Sequence, residues 1–161
     1  MIFVTVGGST RPFPRLTQAL SALPLDELVV QHGPSAVPDG VAHAVPFMDF
    51  AEVLDHLQRA DVVVSHAGSG SVICARRNGH TPVLVPRLAR YDETVDDHQA
   101  EFAAALEEAG EAIVVWDVER LAEAVSAVPR RVTPRETTEW RSGTLHEAVR
   151  RAIHGQAPVP G

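Results

Sequence analysis

The sequence contains no lysine, and all 14 of its cationic side chains are arginines. A Walker-type phosphate loop, a Schiff base and pyridoxal phosphate chemistry each need a lysine amine, so all three are excluded. The 161 residues include one cysteine, Cys74, so no disulfide can form within the chain. We therefore expect a reducing compartment, with Cys74 as a core residue.

Long apolar runs and excess positive charge are also lacking. No run approaches the roughly 18 apolar residues of a membrane span, and the sequence starts without a basic segment or cleavage site. We expect a cytoplasmic chain that is at most peripheral to a membrane. The formal net charge of −7 disfavours nucleic-acid binding, because phosphate neutralisation needs clustered cations.

The hydrophobic residues that are present, 45% of the chain, are enough for a globular core. We assign residues 1–154 to a single domain and residues 155–161, rich in proline and glycine, to a frayed tail. Apolar β-branched segments alternate with segments of helical periodicity. This alternation predicts an α/β fold, a Rossmann-like parallel sheet with helices on both faces.

Six strands and six helices are predicted. The strands are Ile2–Val6, Leu28–Gln31, Val41–Val45, Val62–Val64, Pro82–Val85 and Ile113–Trp116. The helices are Phe13–Leu23, Phe50–Leu57, one that opens in the loop after Val64, His98–Ala109, Val118–Val128 and, roughly, Thr137–His154. Ligands of such sheets bind beyond the carboxyl ends of the strands, in the loops that start at Gly7, Gly33, His66 and Arg87.

The loop His66-Ala67-Gly68-Ser69-Gly70-Ser71 follows the fourth strand and opens a helix. Its small residues let the backbone approach an anion, and unpaired N–H groups and the helix dipole favour negative charge there. A diphosphate fits, with hydroxyl donors from Ser69 and Ser71. The alternative is a turn that binds nothing. A dinucleotide fingerprint is disfavoured, because Ile73 replaces its third glycine.

The connection from Arg87 to Gln99 is longer than the usual two to six or so residues, which is typical of functional loops. His98 and Gln99 combine donors and acceptors that suit sugar hydroxyls. Asp97 is equally well explained as a helix N-cap. A metal site at Asp96, Asp97 and His98 is disfavoured, because three consecutive helical residues cannot all face one ion, and we expect no metal.

The turn Gly7-Gly8-Ser9-Thr10 ends the first strand. It either borders the same cleft or is an ordinary turn. His32, before Gly33, is interpreted as a hydrogen-bonded structural histidine in preference to a residue that borders the cleft.

Six ordered blocks between Ile2 and about Val115 resemble family 28 glycosyltransferases, specifically the donor-binding C-terminal lobe of the GT-B fold. Similar members include small exopolysaccharide-type subunits and the catalytic subunits of two-subunit UDP-N-acetylglucosamine transferases. The blocks are Phe3-Val4-Thr5-Val6-Gly7, Phe13-Pro14-Arg15-Leu16, Val30-Gln31-His32-Gly33, Ala60-Asp61-Val62-Val63-Val64-Ser65-His66-Ala67-Gly68-Ser69-Gly70-Ser71, Pro82-Val83-Leu84-Val85-Pro86-Arg87 and Asp96-Asp97-His98-Gln99.

The resemblance implies a UDP-sugar as donor substrate, with no further cofactor. It assigns the diphosphate to His66 through Ser71, the sugar to His98 and Gln99, and uracil to Phe47 and Met48, which by sequence alone would be core residues. The donor-binding candidates are Gly7, Gly8, Phe47, Met48, His66, Gly68, Ser69, Gly70, Ser71, Arg87, His98 and Gln99. Cys74 stands where family members carry a ribose-binding glutamate, so ribose recognition must differ.

The implied activity is inverting transfer of a hexose or N-acetylhexosamine to a lipid-linked or polysaccharide acceptor. No catalytic base is assigned, because the resemblance puts acceptor groups on a lobe that this sequence lacks. A membrane-anchored, acceptor-binding partner subunit is the expected source of the base. We expect the helix around Trp140, Leu145 and Val149 either to be its docking surface or to pack on the sheet of its own chain. A homo-oligomer, a non-catalytic nucleotide-sugar-binding module and an epimerase or hydrolase relative stay open.

Overall fold

The structure, a computed structural model, describes residues 1–129 of the chain. Their strands are β1 (Ile2–Thr5), β2 (Leu28–Gln31), β3 (His43–Val45), β4 (Val62–Ser65), β5 (Val83–Leu84) and β6 (Ile113–Val114). All pair in parallel, in the order β3-β2-β1-β4-β5-β6. The order confirms the predicted α/β class with a Rossmann-like sheet.

Helices cover both faces of this sheet. They are α1 (Pro14–Ala19), α2 (Phe50–Arg59), α3 (Ser69–Arg77), α4 (His98–Glu108) and α5 (Leu121–Ala127). Helices α1 and α5 pack Leu16 and Leu121 on one face, whereas α2, α3 and α4 pack Leu57, Val72 and Phe102 on the other. Because both faces are covered, β1 is buried along its whole length and carries no polar alternation apart from Thr5.

Two helices differ from the periodicity that predicted them. Helix α1 ends at Ala19 and continues as a 3-10 turn over Leu20–Ala22. Pro24 favours an extended conformation at Leu23, which ends the helical run there. The segment that starts at Val118 likewise opens as a 3-10 turn and becomes α5 only at Leu121.

Phe50 does not join the core, although helical spacing predicts it on the same inward face as Leu57. Its side chain is 66% exposed, whereas Leu57 is buried. A capping box starts α2 here, with Asp49 accepting from the Glu52 N–H and Glu52 accepting from the Asp49 N–H, both at 2.8 Å. Phe50 is therefore in the first turn of α2, ahead of the residues that reach the sheet.

Three predictions fall on residues outside the described part of the chain. They are the helix at about Thr137–His154, its docking surface, and the tail at residues 155–161. Within residues 1–129, no helix has the length and apolar character that crossing a membrane requires.

Candidate functional site

The order of the strands along the sheet reverses between β1 and β4, and we call the space beyond the carboxyl ends of these two strands the crevice. The two strands run side by side, with Thr5 beside Ser65, and their following connections lead to opposite faces of the sheet. In open parallel sheets this reversal is where ligands bind. The structure therefore brings the Gly7 turn and the His66 loop, which are 59 positions apart in sequence numbering, to one place.

His66 fills the space between these two loops. A Cβ built on Gly7 would overlap imidazole Cε1, and a Cβ built on Gly68 would overlap Nε2. Gly7 also has a φ of +76°, a conformation that other residues rarely adopt. Its N–H donates to the Thr5 hydroxyl at 3.1 Å, which holds the turn. His66 is thus a wedge that sets the separation of the two loops.

The imidazole of His66 is uncharged at neutral pH. Desolvation inside the wedge, and next the positive charge of Arg87, lower the pKa of His66 from 6.5 to about 4. An uncharged ring can lie against two backbones without a carboxylate partner. His66 therefore adds shape to the crevice, and it adds no positive charge.

This low pKa predicts that acid destabilises the fold through His66. The unfolded chain takes up the proton near pH 6.5 and the folded chain only near pH 4, so stability falls as pH drops through this window. From about pH 7 to about pH 4.5, the wild type should lose about 2 kcal/mol more unfolding free energy than His66→Asn. Urea unfolding of both proteins at each pH measures the difference, and equal losses would contradict it.

The outer side of the crevice is open. A Cβ on Gly8 or on Gly70 would meet no atom within 4 Å. Helix α3 starts here, and its first internal hydrogen bond runs from the Val72 N–H to the Gly68 carbonyl at 3.1 Å. The N–H groups of Ser69, Gly70 and Ser71 precede that bond, and no acidic residue lies in this first turn. The open space is therefore bordered by backbone donors and a positive helix end.

Arg87 lies near this site, but its side chain is not open to a ligand. It is 1% exposed, and its Nη atoms donate to the backbone carbonyls of Val6, Arg11, Pro12 and Glu93 at 3.1–3.2 Å. The expectation of a direct donor contact is therefore corrected. Arg87 binds the connection after β5 to the turn after β1 from inside the protein.

Arg15 and Glu93 complete this internal attachment. Arg15 lies in one of the blocks that carry the resemblance, but neither residue was predicted as part of the site. The Glu93 carboxylate accepts from Arg15 Nε and Nη2, both at 2.9 Å, and also from the Leu88 N–H at 3.0 Å. Glu93 is only 3% exposed. Nothing in a polar loop marks one of its acids as buried, so the only sequence signal was the unusual length of the connection.

His98 and Gln99 begin α4 and differ in exposure. His98 is exposed and its Nδ1 lies 2.9 Å from Asp96 Oδ1, a contact that raises the pKa of His98. Gln99 is half-buried, and its Oε1 accepts from the Arg87 N–H at 3.2 Å. Asp97 occupies the N-cap position without capping, since its carboxylate accepts from the Ala89 N–H at 2.9 Å. Asp97 is therefore the N-cap residue by position, as expected, but its side chain does not cap the helix.

Phe47 and Met48 follow β3 at the same edge of the sheet. Phe47 is 55% exposed, contrary to the core position that sequence alone suggests, while Met48 packs at the rim of the cluster formed by Phe3 and Leu57. An exposed aromatic ring at this edge is available to a flat ligand.

Cys74 and His32 bear on two further expectations. Cys74 is a free, half-buried thiol in α3 that packs beside the same apolar cluster, so it cannot supply the charge of a carboxylate.

His32 Nδ1 is buried and has no hydrogen-bond partner among residues 1–129, so the fully bonded histidine predicted there is not found. The described residues also place no three His, Cys, Asp or Glu side chains where they could hold a metal ion.

Comparison with known proteins matches nearly all of this chain to one domain. Residues 1–142 match the model of the glycosyltransferase family 28 C-terminal domain. The chain is also 32% identical over 122 residues to the UDP-N-acetylglucosamine transferase subunit ALG13 of Yarrowia lipolytica. That alignment covers 66% of this chain, which spans 60% of the length of the relative.

Proposed function

The chain belongs to the family of the glycosyltransferase family 28 C-terminal domain, and on that premise we propose that it binds the UDP-sugar donor of a glycosyltransferase. Its sheet is consistent with one lobe of a GT-B fold. One relative is a UDP-N-acetylglucosamine transferase subunit, and we propose that this chain also uses a UDP-sugar as its donor substrate.

The open crevice beside His66 is the observation that carries the proposal. It combines the bare backbone at Gly8 and Gly70 with the first turn of α3, where N–H groups precede the internal bonds of the helix. Such a turn binds phosphate groups through both its donors and its dipole. A diphosphate has the charge and the size for this space, and Ser69 and Ser71 add hydroxyl groups.

The two ends of the donor have matching chemistry on either side. Exposed Phe47 offers an aromatic face to a uracil ring, with Met48 beside it. On the β5 side, His98 and the amide of Gln99 offer hydrogen bonds to sugar hydroxyls. Cys74 supplies no carboxylate for the ribose, which supports a looser hold on that group.

We assign this donor site to an inverting transfer. The acceptor oxygen forms a bond to the anomeric carbon while the bond from that carbon to the diphosphate oxygen breaks, and the electron pair stays on the diphosphate. The positive end of α3 stabilises this growing charge most in the transition state. His66 is wedged between backbones and is not assigned as the base, so we propose that the acceptor's proton goes to a base on another chain.

A partner subunit completes the proposed enzyme. The relative's name describes a subunit, and the family match concerns a C-terminal domain. We propose that a membrane-anchored, acceptor-binding chain supplies the second wall of the cleft and the base. The product is then a hexose or N-acetylhexosamine attached to a lipid-linked or polysaccharide acceptor.

Gly70→Asp tests the donor site by placing a carboxylate in the open crevice. UDP affinity should fall roughly 100-fold, since like charges a few ångströms apart near a surface repel by a few kcal/mol. Fold stability should hold or rise, because a carboxylate suits a helix N-terminus. Calorimetric titration with UDP and thermal unfolding measure the two effects.

Gly70→Asn is the matched control, because it has the same size without the charge. It should bind UDP much more tightly than Gly70→Asp does. Equal affinities of the two variants would contradict the assignment of the diphosphate to this turn. An assay with a UDP-sugar and a lipid acceptor, with and without the partner, then separates transfer from simple binding and from partner-free hydrolysis or epimerisation.

A further inference from the structure

Two buried or half-buried arginines meet one buried carboxylate where the connection after β5 contacts α1. Arg15 contacts the Glu93 carboxylate, and Arg87 contacts the Glu93 backbone carbonyl. We call these three residues the arginine lock. The Glu93 carboxylate makes its two side-chain bonds to Arg15 and none to Arg87. One carboxylate thus faces two guanidinium groups.

Arg87 has only neutral partners. Its Nη atoms donate to four backbone carbonyls, its guanidinium carbon lies 4.5 Å from the centre of the Phe13 ring, and its Nε has no partner within residues 1–129. Burial accordingly lowers the pKa of Arg87, against the attraction of Glu93. A buried cation without a bonded anion is unfavourable.

The unbalanced charge lies directly behind the donor crevice. Arg87 Nη2 donates at 3.1 Å to the carbonyl of Val6, the residue before Gly7. After the desolvation of its ring, the same positive charge is the second cause that lowers the pKa of His66, the residue between the two loops. Nearby acids at the surface are already engaged, Asp92 with Arg11 at 2.7 Å and Asp96 with His98.

We propose that Arg87 is a positioning residue for the donor, which holds a fixed positive charge behind the crevice and makes it select anionic ligands without touching them. This inference rests on the proposed function. A charge inside the protein is screened less than one at the surface, so it acts over a longer distance. Four carbonyl bonds also hold it still, so no reorganisation is needed as charge develops on the leaving diphosphate.

The test compares ligands of equal base and rising charge: uridine, UMP and UDP. Their dissociation constants are measured by calorimetry, and the ratio of uridine to UDP reports charge selectivity. Arg87→Met should lower this ratio on the order of tenfold, whereas Arg87→Lys, which keeps the charge and loses the four-carbonyl fork, should retain most of it. A purely structural role predicts the same ratio in both variants.

Glu93→Gln tests the same idea without altering Arg87. It removes the one negative charge of the arginine lock and keeps an acceptor for Arg15. The ratio of uridine to UDP dissociation constants should rise several-fold, even if both ligands bind less tightly. This variant decides the question where Arg87→Met fails to fold, and an unchanged or lower ratio in Glu93→Gln overturns the proposal.

The outcome in the wild type separates the two proposals. Tight binding of UDP with the expected loss of selectivity in Arg87→Met supports both. Binding of UDP with the same selectivity in Arg87→Met and the wild type overturns the role of Arg87 alone. Failure of the wild type to bind any uridine compound overturns the donor site and this inference with it.

Discussion

Gly7→Ala should lower the unfolding free energy by about 2–5 kcal/mol, the sum of an overpacked contact and a strained backbone. The added methyl group would overlap the His66 ring, and alanine would have to adopt a φ of +76°. Because His66 separates the loops on both sides of the crevice, UDP affinity should fall as well. Chemical denaturation and calorimetry measure the two losses.

Gly8→Ala is the matched control for stability, since it is the next residue and has neither feature. Its methyl group would meet nothing within 4 Å, so its unfolding free energy should stay within about 0.5 kcal/mol of the wild type. Gly68→Ala isolates the overlap, because its backbone φ is −81°. Adding His66→Ala to Gly68→Ala should restore the stability lost by Gly68→Ala in full. Adding His66→Ala to Gly7→Ala should restore only part of the loss, because the strained backbone at Gly7 remains. Additive losses in both pairs would disprove the wedge.

Arg15→Met is expected to lower the unfolding free energy by about 3 kcal/mol, because the buried Glu93 carboxylate loses the cation that it bonds while Arg87 stays nearby. Both bonds of the pair measure 2.9 Å, and neither side chain has more than 14% exposure. The loss should also weaken UDP binding, since the connection after β5 is held to α1 through this pair. Urea denaturation and UDP titration are the measurements.

Arg59→Met gives the comparison, because it breaks an ion pair of similar length at the surface. Arg59 and Asp55 lie 2.8 Å apart on α2, with side chains 63% and 58% exposed. Pairs of this kind contribute only about 0.3–0.5 kcal/mol. If both variants lost stability equally, burial of the Arg15 pair would not be what makes it strong.

The strands were predictable because burial on both faces leaves a simple pattern. Val62–Val64 and Leu28–Gln31 are runs of β-branched and aliphatic residues between polar turns, and both are strands in the structure. The shortness of α1 depends on Pro24, a local signal that periodicity outweighed. Phe50 fits the apolar face of α2 by spacing, and only the position of the helix start relative to the sheet exposes it.

In the candidate site, too, some residues could be predicted from local sequence and others depend on contacts between distant parts of the chain. Its glycines could be proposed from sequence, because a turn of small residues that opens a helix after a buried strand is typical of an anion site. The position of His66 between the two loops could not be predicted, because the distance between these loops is set by the parallel pairing of β1 and β4. Arg87 and Glu93 resemble ordinary loop residues, and their burial depends on contacts with residues more than 70 positions away.

The arginine lock also orders events during folding. Its bonds from Arg87 and Glu93 back to Val6, Pro12 and Arg15 join residues 75 to 81 positions apart, so each of these bonds closes a long loop. The pairs β1–β2 and β1–β4 span shorter separations and can form earlier. On a ribosome, the crevice can therefore take its final shape only after β5 and the connection beyond it have emerged, whereas the first four strands are free to pair before that moment.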